Sequence, residues 1–165
     1  MDTSILCVWL KVPGKETCGT GENGWDYEKV NVKVTEELAA KTTFVLPLAS
    51  IIETGNHISQ CPGNPYNVAL SFADLIKKTA NNETPWAAFT VQSELWTDDK
   101  LKELAEIWPR MAASRISLGD ATIKDVADYY NVQGFTVEIF TGDQGLKAYE
   151  PIAAPVAITT PRRRK

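Results

Sequence analysis

"TTFVLPLASIIETGNHISQ" (residues 42–60) decides the reading of the fold. Its first seven residues are an apolar run rich in β-formers, which suits a short strand. From Ala49 to Gln60 the chain reads as a helix, and Ser50 and Glu53 have the S-x-x-E spacing of a capping box. A strand that runs directly into a helix is the unit of an α/β fold.

The alternation recurs on both sides. Residues 3–11 read as a buried helix or strand. A loop rich in Gly and Lys follows from Val12 to about Asn31, pinned to the core through Trp25 and Tyr27. Thr35, with Glu36, Glu37 and Leu38 behind it, reads as the cap of a short helix. Downstream of "CPGNP", Asn64 and Pro65 start a helix with the apolar stripe Val68, Phe72, Leu75 and Ile76, and Lys77 and Lys78 suit its C-terminal dipole. "WAAFTVQ" (86–92) reads as a strand. Thr97 caps a helix through Leu101, Leu104, Ala105 and Trp108, which Pro109 kinks or ends. Residues 119–131 carry Ile123, Val126, Ala127 and Tyr130 at helical spacing. "FTVEIF" (135–140) reads as a strand, "DQGLKAY" as a helical turn and "PVAIT" (155–159) as a last short strand. The expected architecture is an α/β three-layer sandwich with a mostly parallel central sheet flanked by helices. It forms one domain over 1–160, followed by a basic tail at 161–165.

Composition bounds the function. The chain has 165 residues and a net charge of −4. With the four basic residues at 162–165 set aside, thirteen basic residues face 21 acidic ones, a net −8. Such a body does not bind nucleic acid through bulk charge; a local basic patch or bound cations would be needed. Cys7, Cys18 and Cys61 are odd in number and form no C-x-x-C pair, which indicates neither a disulfide framework nor a zinc site. Cytoplasmic localisation follows from that cysteine usage. No stretch approaches the roughly 20 apolar residues of a membrane span.

In a parallel α/β sheet, ligands bind beyond the carboxyl ends of the strands. Four acids lie at such places. Asp2 precedes the first apolar run, Glu53 lies one turn into a helix, Asp120 opens a helix, and Asp143 follows "FTVEIF". Asp120 and Asp143 also suit helix N-caps. Carboxylates gathered at one edge repel one another unless a cation shares them, and a hard oxygen site suits Mg²⁺ or Mn²⁺.

In these segments the chain resembles the PIN-domain nucleases. "DTSIL" (2–6) is similar to the family's opening motif, "LPLASIIETGNHI" (46–58) to the segment bearing its glutamate, "SLGDATIKDVADYY" (117–130) to that bearing its third acid, and "VEIFTGDQGL" (137–146) to its strand with Thr-x-Asp. The resemblance implies that Asp2, Glu53, Asp120 and Asp143 bind metal and catalyse. It also places Ser4 and Thr141 on the substrate side. His57, four residues after Glu53, is a candidate phosphate contact or a second-layer structural residue. The implied activity is Mg²⁺- or Mn²⁺-dependent hydrolysis of RNA, single strands in particular, in an endoribonuclease of a type that toxin–antitoxin systems also use. The implied partners are RNA, an antitoxin or regulatory protein, and a second copy in a homodimer. The family has several apolar residues before its first acid where this chain has only Met1, so part of the first strand is expected to be missing. That departure supports a second reading, an inactive PIN-like binding or scaffold subunit. The aspartate-based phosphatases begin D-x-D, and Ser4 in the second acid's place sets them aside.

Overall fold

The computed structural model describes residues 1–21, 24–87 and 89–152. The strand expected at 155–159 and the tail at 161–165 lie outside the described residues. Seven α-helices dominate the described chain: α1 (Thr3–Trp9), α2 (Tyr27–Ala39), α3 (Leu48–Gln60), α4 (Tyr66–Ala80), α5 (Asp98–Ala113), α6 (Leu118–Val132) and α7 (Gln144–Lys147). A 3₁₀ helix spans Phe89–Trp96. The strands are β1 (Thr17–Cys18), β2 (Trp25–Asp26), β3 (Phe44–Val45) and β4 (Trp86–Ala87).

The core forms around α1. Ile5, Leu6, Cys7 and Val8 are all buried, so this helix is apolar on every side and sits inside the molecule. α3, α2 and the β1–β2 hairpin pack around it. Val30 and Val34 face it from α2, Leu46 and Ile58 join from the β3–α3 segment, and Phe72 and Leu75 come from α4. Trp86 stacks at a tilt on Phe44 and Trp9, with ring centroids 5.2 and 5.9 Å apart. A smaller cluster of Ile123, Ala127, Ile139 and Leu146 ties α6 to α7.

The expected central parallel sheet is corrected. Among the described residues there are two separate two-stranded sheets, an antiparallel β1–β2 pair and a parallel β3–β4 pair in the register Phe44↔Trp86. The reason lies in local chemistry. Met1 and Asp2 lie extended between β3 and the 137–140 segment, and a helix begins at Thr3. Met1 N donates to Val45 O at 3.0 Å and Asp2 N to Phe140 O at 2.9 Å, one bond to each side. "FTVEIF" forms no strand, because side chains occupy its outer edge. Ile139 N donates to the Glu150 carboxylate at 2.7 Å, and the Lys147 ammonium donates to Ile139 O at 3.1 Å. Charged groups on an edge are a recognised way of ending a sheet.

Other expectations also move. The loop expected to run to Asn31 ends at Trp25–Asp26, where Asp26 caps α2 by accepting from Lys29 N at 2.9 Å. Thr35 lies inside α2, where its hydroxyl donates to Asn31 O. Ser50 is no cap either: Pro47 stands at the start of α3, and Ser50 is buried one turn in. "WAAFTVQ" keeps two strand residues and then turns into the 3₁₀ helix. α5 continues through Pro109. No helix among the described residues is long and apolar enough to cross a membrane.

Leu6 is fully buried at the centre of this arrangement. Leu6→Ala is expected to cost about 2–5 kcal/mol, because surrounding helices cannot close the cavity it leaves. Urea denaturation would measure this, and a loss under 1 kcal/mol would contradict the placement of α1 at the core.

Candidate functional site

Asp2 is almost fully buried, and its carboxylate is saturated by its own chain. Oδ1 accepts from Thr3 N at 2.6 Å. Oδ2 accepts from Ser4 N at 3.3 Å, Ser4 Oγ at 2.6 Å and Thr141 Oγ1 at 2.8 Å. It is the N-cap of α1. Thr141 Oγ1 in turn accepts from Asp143 N at 2.9 Å, and Ser4 Oγ accepts from Gly142 N at 3.2 Å. Ser4 and Thr141 therefore join the start of α1 to the loop before α7.

The other acids are held in the same manner. Asp143 caps α7, with Oδ1 accepting from Gly145 N at 2.6 Å and Leu146 N at 3.3 Å. Asp120 and Ser117 form a reciprocal capping box on α6. Ser117 Oγ accepts from Asp120 N at 3.0 Å and donates to Asp120 Oδ2 at 2.8 Å, which also accepts from Ser117 N at 3.2 Å. Glu53 Oε2 accepts from Thr3 Oγ1 at 3.0 Å. Its Oε1 lies so close to Gly119 that a methyl built there would stand 2.1 Å away. His57 is half-buried in the last turn of α3 and makes no hydrogen bond to these acids among the described residues.

The acids gather at one end of the fold. Burial pushes the Asp120 carboxyl up, and the Ser117 hydroxyl and amide hold it down. The negative charges of Asp2 and Asp143 push it up further. Even so, the expected metal centre is corrected. Among the described residues no group of three or more His, Cys, Asp or Glu side chains is arranged to hold a metal ion. Both oxygens of Asp2, Oδ2 of Asp120 and Oδ1 of Asp143 are turned to amides and hydroxyls at helix starts. The PIN resemblance and the nuclease activity it implied are withdrawn on this finding and on the absence, among the described residues, of a central parallel sheet.

Three residues that matter here were not singled out from the sequence. Thr3 orients Glu53, while Gly119 and Gly142 permit close approach. A methyl on Gly142 would stand 2.6 Å from Cys18 Sγ and 3.0 Å from Gly19 N, so the β1 loop closes directly over residues 141–143. Burial raises the Cys18 thiol, against the lowering effect of the Ser4 hydroxyl. All three cysteines are free. Compared with known protein families, curated proteins and solved structures, the chain matches none.

The raised Asp120 group has a signed consequence. The folded state binds that proton more tightly than the unfolded chain. The stability the group contributes is therefore complete below the unfolded carboxyl range, near pH 4, and is lost as pH rises through the folded value. Asp120→Asn keeps an acceptor for Ser117 and removes this loss. Relative to the natural chain, the variant is expected to gain stability as pH rises from below the unfolded carboxyl range through the raised folded value. Thermal melts over the acidic range would show it, and a variant that loses ground as pH rises would contradict it.

Proposed function

We propose that this chain is a non-catalytic helical binding or scaffold subunit that holds a protein partner on the face of α5. One observation carries the reading. α5 has sixteen residues with a well-defined apolar side, yet none of them is buried. Leu101 and Ile107 are 42% and 49% exposed. Leu104, Trp108 and Met111 are only half-covered by α6 and the 3₁₀ helix beneath them. A helix that keeps such a stripe in water is incompletely packed unless a partner completes it.

Charge favours a protein over RNA as that partner. Asp98, Asp99, Glu103 and Glu106 share α5 with Lys100, Lys102 and Arg110. Lys100 is engaged by Glu103 and Lys102 by Asp99. A phosphate backbone finds little free positive charge here. A regulatory protein suits an acidic, apolar helix face better, and a second copy of the chain is the other occupant to be tested. The three free cysteines support a reducing compartment such as the cytoplasm.

A photo-crosslinking residue at Ile107, tested in cells, is expected to trap a discrete protein. The same residue at Lys102, on the polar side of α5, is expected to trap little. Leu101→Glu is expected to reduce the Ile107 product at least about tenfold, since a charge opposing an apolar contact costs about 1–3 kcal/mol. Equal trapping at both positions would overturn the reading. In parallel, millimolar Mn²⁺ is expected to leave the melting temperature unchanged and to elicit no cleavage of single-stranded RNA.

A further inference from the structure

A cleft of about 320 Å³ opens between the β2–α2 junction, the 138–141 segment and α7, and no residue of α5 lines it. We infer that this cleft binds a small molecule made of a flat aromatic ring and one carboxylate. The inference is independent of the reading of α5 as a binding face.

The first support is a rigid aromatic wall. The volume lies at the small end of the range of small-molecule sites. The floor is formed by Ile139, Phe140 and Thr141, all buried. Trp25 meets Phe140 edge to face, with ring centroids 5.1 Å apart and planes at 69°. Phe140 is buried and Trp25 is half-buried, so the indole is fixed from one side and still borders the cleft. The floor is fixed as well. Phe140 O accepts from Asp2 N at 2.9 Å, and Thr141 Oγ1 donates to Asp2 Oδ2 at 2.8 Å. A wall and floor held in this way accept a flat ring with little loss of side-chain entropy, which is the largest cost of binding at a mobile site.

The second support is charge. Lys147, Glu138 and Lys29 border the cleft. Lys147 is matched, with its ammonium 2.6 Å from Glu150 Oε2 and 3.4 Å from Glu138 Oε1. Glu138 is matched too, since its Oε2 lies 3.0 Å from Lys33 Nζ. Lys29 differs from both. Its ammonium donates to the Gly24 carbonyl at 2.8 Å and meets no carboxylate among the described residues. That bond holds the ammonium beside Gly24, itself part of the cleft, and an ammonium has further donors to offer. One unmatched cation calls for one negative charge. A carboxylate supplies it, whereas a phosphate monoester would bring nearly two charges close to Glu138. Gln144, exposed at the same cleft, adds an uncharged amide donor. A nucleic-acid backbone needs a row of such cations and finds one.

The test is a titration of the full chain followed by ¹H–¹⁵N NMR, with 2-naphthoate as the probe and neutral 2-naphthamide as its control. 2-Naphthoate is expected to shift the Gly24 and Thr141 amides, the Trp25 indole N–H and the Gln144 side-chain amide. Half-saturation is expected at or below about 1 mM, as suits a ligand of this size. 2-Naphthamide is expected to bind at least about fivefold more weakly, because it cannot make the charge-assisted bond to Lys29. Lys29→Gln is expected to weaken 2-naphthoate by a similar factor and to leave 2-naphthamide unchanged, while Lys29→Arg retains 2-naphthoate binding. Equal binding of the two probes to the natural chain overturns the inference, and this comparison requires no variant to fold. Shifts confined to residues outside the cleft overturn it too, as does the absence of any shift at ten times the expected half-saturation.

Discussion

The Asp2 carboxylate is the constraint on which the rest of this structure depends. It collects four hydrogen bonds, caps α1, and through Thr141 ties the first residues to the loop before α7, 139 positions away in sequence. A buried carboxylate is costly unless its lone pairs are filled. Here they are filled by groups that must themselves be near one another only when the fold is complete. α1 is thereby placed with its apolar surface in contact with α2, α3 and the β1–β2 hairpin, and the large cluster of buried residues forms around it.

The same economy runs along the 137–140 segment. A chain of polar contacts links Thr42 to Glu37, Glu37 to Lys33, Lys33 to Glu138, Glu138 to Lys147 and Lys147 to Glu150. Each link is partly solvated and individually worth little. Together they join the loop before β3 to the segment before α7 by way of α2. Glu150 and Lys147 also take the positions that a neighbouring strand would take. The result is an extended segment held by side chains, which explains why strand-like sequence did not produce a sheet.

The nuclease reading failed for an instructive reason. The residues that carried it, Asp-Thr-Ser at the start, Ser-x-x-Asp at 117–120 and Thr-x-Asp at 141–143, are also the residues that terminate helices well. Asp, Ser and Thr are favoured N-caps because their oxygens accept from the free amides of a first turn. A row of helix starts pointing to one end of a domain will gather such residues whether or not a cation is shared. Spacing alone cannot separate the two uses, since both place an acid just before or within a first turn. The hydrogen-bond partners separate them. Each oxygen of Asp2, and the engaged oxygens of Asp120 and Asp143, is directed at the chain's own donors.

By itself the sequence determined most helices, because those signals are local, but only some of their caps. Asp143, Thr97 and the lysines closing α4 stand where the sequence put them, whereas α6 is capped by Ser117 with Asp120 three residues in, and α4 starts at Tyr66 after Pro65 rather than at Pro65 after Asn64. It also determined which face of α4 and of α6 would be buried, through the 3.6-residue period. Only the tertiary structure decided whether apolar β-formers would pair. Pairing requires a neighbouring strand at about 4.8 Å, and on one side of "FTVEIF" a lysine–glutamate pair takes that place. It also decided that α5, amphipathic in sequence like any core helix, would keep half its apolar face uncovered. Amphipathicity is a property of one helix, whereas burial depends on what the remaining elements leave room to supply.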